Sequence, residues 1–470
     1  MNIPNNLLRN SILAFLTNVG IKAVNAVAFI LIARLAGVQP AGIFSLGTTY
    51  LVIFTATTWG LDELMIRQVA RDRSTSSQYF GTFLLLRALL TGAAYLLMVL
   101  FVGKLMPYPL TTIRPILILG LSIIPDSLGS VGQSLLNAHE RFGLPLVAGI
   151  AGSLVKLAVG AWAAVNGGGL EGVGWAWVVG SCLAAAINLA AAGRLTWPWR
   201  LRLWLDWPFW TYNLNLALPF LGMGFLLTVE YQADVVILSA VRNEVEVGWY
   251  GAVTTIIFAL NLLAQGYRAA VYPLMARYRQ TDPGKLARLY ERSLFYLGAL
   301  ALPMAAGLAL LSSEIIVLIF KPAFSGAIVP LQIMSCLLVF NYLNVPNSRL
   351  MLVSDQQKRL TLFLVGSMGT NILLNLWLDP RLGAVGASAA RVCSSMLFFL
   401  MNDLYVNRRL MPHKVLKTLA RPALATAVMA LAVWQVRGAN LWLTILVGIV
   451  LYSGMMFLFF LPQIRDSRRS

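Results

Sequence analysis

The sequence is poor in charged side chains. Only 11% of its 470 residues are Asp, Glu, Lys or Arg, whereas 59% are hydrophobic. Soluble domains carry about 25% charged residues, so this composition excludes a water-soluble enzyme. The high hydrophobic content also excludes a disordered scaffold. The chain is therefore predicted to be an all-α integral membrane protein.

Cysteine and histidine are equally scarce. Cys182, Cys336 and Cys393 lie far apart in apolar runs, and the two histidines are His139 and His413. A metal site needs several ligands at short spacing, and a disulfide framework needs more cysteines. We therefore expect the cysteines to be small buried hydrophobic residues, and we expect neither a metal nor any other cofactor.

Long loops and nucleotide motifs are absent as well. No connection between apolar runs exceeds about twenty residues, and no G-x-x-x-x-G-K-[ST] phosphate loop occurs. A membrane glycan polymerase or ligase usually needs a larger external loop to hold its catalytic groups. The short loops favour a transporter that makes and breaks no bonds, with a polymerase or ligase as the alternative from a different class.

Long apolar runs are what the sequence has in abundance. A helix needs about 20 apolar residues to cross the bilayer, and fourteen spans are predicted. The first lacks a cleavage site and carries a lysine, so it is expected to be a retained span rather than a signal peptide. The predicted spans are 12–34, 41–62, 80–102, 113–137, 145–166, 172–193, 212–240, 247–272, 293–313, 327–350, 361–379, 383–405, 421–437 and 440–461.

The basic residues predict the orientation. The formal net charge is +18, and 25 of the 36 Lys and Arg residues fall on the side of the membrane that holds the N-terminus, against seven on the other side. This bias predicts that both termini are cytoplasmic. Proteins that bind single-stranded DNA or RNA combine basic residues with aromatic residues that stack on the bases. No basic run in this sequence is interleaved with aromatic residues in that way, so no nucleic acid is expected as a partner.

An internal repeat divides the chain. At an offset of 206 residues, span 2 aligns without a gap with span 8, matching Gly42 with Gly248 and Gly60 with Gly266. Six spans separate the two helices, so the halves share one orientation, and parallel repeats of this kind place the substrate site between them. The predicted organisation is an N-lobe (1–193, spans 1–6), a cytoplasmic linker (194–211), a C-lobe (212–406, spans 7–12), and spans 13 and 14 with a basic tail (407–470).

Several stretches resemble a known family. The strings EYQADVVILSAVRNEVEVGWYGAVTTI (230–256) and AAVYPLMARY (269–278), with GVGWAWV (172–178) and NAHERFGLP (137–145), are similar to polysaccharide flippases of the MOP exporter superfamily. The resemblance covers most of residues 10–410. It implies two six-helix lobes around a central cavity, and a function in moving undecaprenyl-pyrophosphate-linked glycans to the outer leaflet. The number of predicted spans, fourteen, also allows a MurJ-like lipid II flippase as an alternative.

Basic groups inside the spans are candidates for binding the pyrophosphate. A charge at the centre of a membrane helix costs about 2.5–3.5 kcal/mol on insertion scales, so it marks a functional hypothesis by default. The alternative is that these groups pair with acids or carbonyls between helices, or extend to the membrane surface. Asn18, Lys22 and Asn25 share one face of span 1; the other basic candidates are Arg87, Lys156, Arg268 and Arg391.

Carboxylates and amides complete the candidate site. Glu230 and Asp234 share a face of span 7, which suits a proton or sodium coupling site or equally a structural partner for Arg268 or Arg391. Amide side chains form stripes on spans 8, 10 and 11, where they can bind sugar hydroxyls or simply join helices. The amides assigned to the cavity are Asn261, Gln265 and Asn341.

The sequence thus predicts a flippase of the bacterial cytoplasmic membrane that moves a polyprenyl-pyrophosphate-linked oligosaccharide outward by alternating access. Its expected partners are this lipid-linked oligosaccharide, membrane lipids and a coupling ion. A MATE-like multidrug exporter and a MurJ-like lipid II flippase are the alternatives among transporters. The net basic interior argues against cationic drugs as substrates.

Overall fold

The computed structural model describes residue 20 and residues 23–56, 59–196, 207–438 and 440–467. These residues form helices joined by short turns, with no strand among them. Their contacts divide the chain into two compact units, residues 1–248 and 249–470. The predicted all-α membrane fold is confirmed.

Most of the helices are long. The first unit holds α1 (Ala23–Ala36), α2 (Val38–Thr55), α3 (Trp59–Arg71), α4 (Ser76–Leu100), α5 (Leu110–Gly120), α6 (Ile123–Ala138), α7 (Gly143–Val165), α8 (Gly169–Leu195), α9 (Trp207–Val241) and the start of α10 (Glu244–Thr281). The second unit holds the rest of α10, then α11 (Pro283–Leu310), α12 (Ser312–Phe320), α13 (Ile328–Val353), α14 (Gln357–Leu382), α15 (Ala384–Tyr405), α16 (Val415–Val436) and α17 (Leu441–Ser467).

The helices agree with the predicted spans. Thirteen segments of the described residues are long and apolar enough to cross a membrane, and each overlaps one of predicted spans 2–14. The shorter apolar helix α1 overlaps the end of predicted span 1. The prediction was wrong for the end of span 2, because α2 ends at Thr55 and the separate amphipathic helix α3 begins at Trp59.

Large apolar side chains cover much of the surface. Leu96, Trp162 and Leu373 are each more than 60% exposed, as expected for helices whose outer faces contact lipid rather than water. Cys182, Cys336 and Cys393 are also exposed, so the expectation that they are buried was wrong. An apolar residue on a membrane helix gains no more from the protein core than from lipid, so its hydrophobicity does not predict burial.

The core of the first unit joins α3, α4, α6 and α9. Leu61, Leu64 and Met65 of α3 pack with Phe83 of α4 and Trp210 of α9 in one buried cluster. At the other end of α9, the Thr49 hydroxyl donates a hydrogen bond to Gln232 Oε1 at 3.1 Å. Helix α9, which contains span 7, therefore contacts other helices of the first unit near both of its ends.

The second unit is organised around a buried polar network. His413 Nε2 lies 2.9 Å from Asp403 Oδ1 and 3.1 Å from Tyr290 Oη. Tyr290 donates to Asn347 Oδ1 at 2.5 Å, and Asn347 donates to Asp403 at 3.3 Å. The network thereby ties α11, α13 and α15 to the 411–414 turn.

Spans 13 and 14 pack on the second unit through α11. Gly298 of α11 lies directly against Leu419 of α16, whose side chain would have to shift to make room for an added Cβ. Tyr452 of α17 donates a hydrogen bond to the carbonyl oxygen of Ala299 at 2.5 Å. These two helices therefore extend the second unit rather than form a domain of their own.

Candidate functional site

A polar face runs along α10 in the second unit. Asn261, Gln265, Arg268 and Tyr272 follow one another at spacings of four, three and four residues, which places them on one side of the helix. At 1.5 Å per residue the stretch is about 16 Å long. We call these four residues the α10 polar face.

Helix α13 contributes two residues to this face. Asn341 Nδ2 lies 3.5 Å from Asn261 Oδ1 at one end. At the other end the guanidinium of Arg349 lies over the ring of Tyr272, 5.5 Å from its centroid. Amides thus occupy one end of the face and arginines the other.

Arg268 and Arg349 form an unbalanced pair of positive charges. Arg268 lies one helical turn before Tyr272, the residue whose ring Arg349 covers, so both guanidinium groups belong to the same end of the face. Neither has an acidic partner within salt-bridge distance among the described residues, and the Nε atom of each is buried without a hydrogen-bond partner. Two adjacent guanidinium groups repel each other, and a bound phosphate would relieve this through charge-assisted hydrogen bonds.

Arg87 lies in a different environment. Its side chain is buried in the first unit, and its Nη2 atom lies 2.6 Å from Asp62 Oδ1. Nη1 also donates to Ser127 Oγ at 3.3 Å. Arg67 is the basic residue nearest to Asp62 in sequence, but the Asp62 carboxylate pairs with Arg87 instead, because the fold brings α3 against α4. Arg87 therefore has the surroundings of a structural ion pair.

Lys156 also has an acidic neighbour. Its Nζ atom lies 3.9 Å from Asp126 Oδ1 and 5.9 Å from the centroid of the Trp177 ring. It lines a small groove whose other walls are apolar side chains of α1, α7 and α8. The ammonium group is thus partly neutralised, and it can attract an anion less strongly than Arg268 and Arg349 do.

The remaining predicted residues are dispersed. Asn18 and Lys22 lie outside the described residues, and Asn25 is exposed on α1. Arg391 is half-buried on α15 of the second unit. Within the second unit, the structure brings together Asn261, Gln265, Arg268 and Asn341 in one place.

The two carboxylates of span 7 differ in burial. Asp234 is fully buried, whereas Glu230 is half-buried one turn earlier on α9. Both lie in the first unit, on either side of Gln232, which accepts the hydrogen bond from Thr49. Among the described residues, no group of three or more His, Cys, Asp or Glu side chains is arranged to hold a metal ion.

Arg349 and Tyr272 were missed by sequence reasoning. Arg349 stands near the end of span 10, where the positive-inside bias gives every basic residue the same explanation. Tyr272 follows Arg268 by four residues, and that spacing was a usable signal. The contact between the two residues depends on the packing of α10 and α13.

Comparison with known proteins identifies the family. Residues 31–329, more than half of the chain, match the family described as polysaccharide biosynthesis protein. The chain belongs to this family. This membership, with the fold, confirms the resemblance to MOP-superfamily polysaccharide flippases.

One relative among curated proteins carries a transport name. "Probable flippase AglR" of Haloferax volcanii is 25% identical over 418 residues, which cover 83% of this chain and 81% of that protein.

Solved structures share the fold. The lipid II flippase MurJ in an inward closed conformation superposes with a TM-score of 0.79 at 15% identity, covering 97% of this chain and all of that chain. An inward-facing MATE-family multidrug resistance transporter of the MOP superfamily gives 0.64 at 14% identity, covering 82% of this chain and 94% of the other. The protein is thus a multi-pass membrane protein with the MOP transporter fold.

Proposed function

We propose that the protein flips a polyprenyl-pyrophosphate-linked oligosaccharide from the cytoplasmic to the outer leaflet. The observation that carries this proposal is the α10 polar face, in which Arg268 and Arg349 lack an acidic partner among the described residues. Family membership and the flippase names of AglR and MurJ support the same function.

The order of groups along the face fits a lipid-linked glycan. A pyrophosphate carries adjacent anionic oxygens that two guanidinium groups can bind through bidentate hydrogen bonds. The sugars then extend toward Gln265, Asn261 and Asn341, whose amides donate to and accept from hydroxyl groups. The face is about 16 Å long, so a glycan attached to a pyrophosphate at the arginines extends along the amides.

The cycle requires positioning but no chemistry. The basic end of the face captures the headgroup from the cytoplasm, alternating access exposes it outside, and the polyprenyl tail stays in lipid. No covalent bond changes, so no residue has a catalytic role. An ion gradient or the membrane potential supplies the energy, since one charge crossing 100 mV gains about 2.3 kcal/mol.

The other candidates take secondary roles. Glu230 and Asp234 are the proposed proton or sodium site, because two carboxylates one turn apart raise each other's affinity for a cation. Lys22, Lys156 and Arg391 are further proposed sources of positive charge, with Asn18 and Asn25 as amide neighbours of Lys22 that can form hydrogen bonds. Arg87 stabilises the first unit through its ion pair with Asp62 and does not bind substrate in this proposal.

The proposed location is the bacterial cytoplasmic membrane, with both termini in the cytoplasm. This orientation follows from the distribution of Lys and Arg and places Arg268 and Arg349 near the cytoplasmic face, where the substrate enters. A lipid II flippase would use the same basic end, since that substrate also carries a pyrophosphate. The same basic end would repel organic cations, which argues against a drug exporter for such substrates.

The test is a flipping assay in proteoliposomes with a fluorescent polyprenyl-pyrophosphate oligosaccharide and an impermeant quencher. Losing a charge-assisted contact costs about 1.5–3 kcal/mol, so Arg268→Gln and Arg349→Gln should each slow flipping at low substrate by about tenfold or more. The matched control is Arg359→Gln, whose guanidinium also lies over a tyrosine, Tyr405, at 4.7 Å. Equal rates in all three variants would refute the proposed site.

A further inference from the structure

Hydrogen bonds connect the two repeats at one end of the first unit. Tyr50 Oη lies 2.7 Å from Tyr108 Oη, and Tyr108 Oη lies 2.6 Å from Ser239 Oγ. Thr112 Oγ1 donates to Glu244 Oε1 at 2.7 Å. Tyr50, Tyr108 and Thr112 belong to spans 2–4 and their connections. Ser239 belongs to span 7, and Glu244 is the first residue of α10, the helix that contains span 8.

The direction of the hydroxyl chain follows from its last member. Ser239 Oγ donates its single hydrogen to the carbonyl oxygen of Val236 at 2.8 Å. It must therefore accept from Tyr108, which in turn accepts from Tyr50. Burial raises the pKa of the Tyr108 phenol, which keeps it protonated for donation. Tyr108 is thus the one member of the chain whose loss breaks both tyrosine hydrogen bonds.

Two glycines bring the backbones together beside this chain. An added Cβ on Gly42 of α2 would overlap the carbonyl oxygen of Glu244, and one on Gly248 of α10 would overlap the carbonyl oxygen of Val38. These are the glycines that the internal repeat aligns with each other. Small residues allow membrane helices to approach at backbone distance, so α2 and the start of α10 are in close backbone contact at this crossing.

The hydrogen-bonded residues and the two glycines together join α9 and the first five residues of α10 to the helices of the first repeat. We call these residues the contact set. All of its residues lie within the compact unit 1–248. Its neighbours along the chain include Lys104, Arg114 and Arg242, which are three of the seven basic residues that the sequence predicts on the outer side of the membrane. The set therefore lies at the outer ends of the spans.

We propose that Tyr50, Tyr108, Thr112, Ser239 and Glu244, around the Gly42–Gly248 crossing, form an outer latch that closes the transport path and must open to release substrate. This proposal rests on the proposed function and on the predicted orientation. The latch combines a backbone contact, which seals the end, with neutral or singly charged hydrogen bonds, which are weak enough to exchange with water at each cycle.

The first test measures opening without any substrate. In a variant with Cys182, Cys336 and Cys393 replaced by Ala, Thr49→Cys is the reporter, because Thr49 is only 4% exposed in this closed arrangement. An impermeant maleimide is applied to the outside of intact cells. Tyr108→Phe removes two hydrogen bonds and should raise the labelling rate about tenfold, and Gly42→Ala should raise it as well.

Matched controls separate the latch from general loosening. Gly47→Ala lies on the same helix, but its added Cβ meets only ordinary contacts, at 3.5 Å or more. Tyr95→Phe removes a hydroxyl that donates to the Leu117 carbonyl within the first repeat. Neither control should change the labelling rate. Unchanged labelling in both Tyr108→Phe and Gly42→Ala would overturn the latch.

The second test closes the latch covalently. Cysteines at positions 112 and 244, joined by a short bis-methanethiosulfonate reagent, should abolish flipping, and reduction should restore it. The control pair, at positions 54 and 101, joins α2 to the end of span 3 within one repeat, where the native rings lie 6.4 Å apart. Flipping at the normal rate by the protein linked between positions 112 and 244 would also overturn the latch.

These outcomes are distinct from those of the function assay. Labelling reports opening whatever the substrate is, so a latch that opens in the Tyr108→Phe variant stands even if the glycan is not transported. Conversely, loss of flipping in Arg268→Gln with unchanged labelling concerns the substrate site alone.

Discussion

Replacing Arg87 with methionine should destabilise the protein through Asp62 rather than through substrate binding. The Arg87 side chain is 2% exposed and its partner 18% exposed, with 2.6 Å between Nη2 and Oδ1. At that distance the attraction is about 6 kcal/mol for an effective dielectric constant near 20. Removing one partner of a buried pair costs about 3–5 kcal/mol, because the other charge stays buried.

The diagnostic comparison is the double variant Arg87→Met with Asp62→Leu. Removing both charges leaves no uncompensated carboxylate, so the double variant should be more stable than Arg87→Met by about 2 kcal/mol or more. The double variant should also flip substrate faster than Arg87→Met does, because more of the protein is folded. Unfolding by SDS titration in mixed micelles gives the free-energy differences.

Lys156→Met is the internal control for this experiment. Lys156 and Asp126 are 3.9 Å apart and both partly exposed, so losing the pair should cost less than about 1 kcal/mol. If Arg87→Met unfolds as wild type does while flipping is lost, Arg87 contacts substrate and the structural interpretation is wrong. The structural interpretation is also wrong if the loss of stability in the double variant equals the sum of the losses in the two single variants.

Two further predictions concern the second unit. Burial alone would lower the pKa of His413, but the hydrogen bond to Asp403, with the Met411 carbonyl and the charges of Asp403 and Glu291, raises it above its usual value. The stability that this network gains from the charged imidazole is therefore full below about pH 6.5 and declines as pH rises through the higher folded-state pKa. The stability difference between wild type and His413→Gln, measured from pH 5.5 to 8.5, should shrink with rising pH; a constant difference would contradict this. Tyr452→Phe should lower the free energy of unfolding by about 1 kcal/mol through loss of the bond to Ala299, with unchanged flipping, whereas loss of flipping would give α17 a role in transport.

The fold was predictable because the bilayer sets the length and polarity of each span. Apolar runs of about 20 residues are long enough to be recognised without knowledge of packing, and the spans from 41–62 onward all correspond to helices of the described residues. The break between α2 and α3 was not recognised, because Thr55 to Trp59 carries no proline and the apolar character continues into α3.

The partners of charged residues were harder to predict than the spans. The nearest opposite charge to Asp62 in sequence is Arg67, yet its partner is Arg87 on α4, and only the packing of the helices decides between them. The same limit applies to Arg349. The pairing of Gly42 with Gly248 was visible as a repeat, but alignment alone gave no reason to expect the two glycines to touch.

Wild-type protein in proteoliposomes tests the identity of the substrate most directly. Three substrates are compared under one ion gradient: a polyprenyl-pyrophosphate oligosaccharide, lipid II, and a fluorescent organic cation. We expect the oligosaccharide to be flipped fastest and the organic cation not to be transported. Efflux of the cation without flipping of either lipid would contradict the proposed function and indicate a drug exporter, and exclusive flipping of lipid II would replace the oligosaccharide as the substrate.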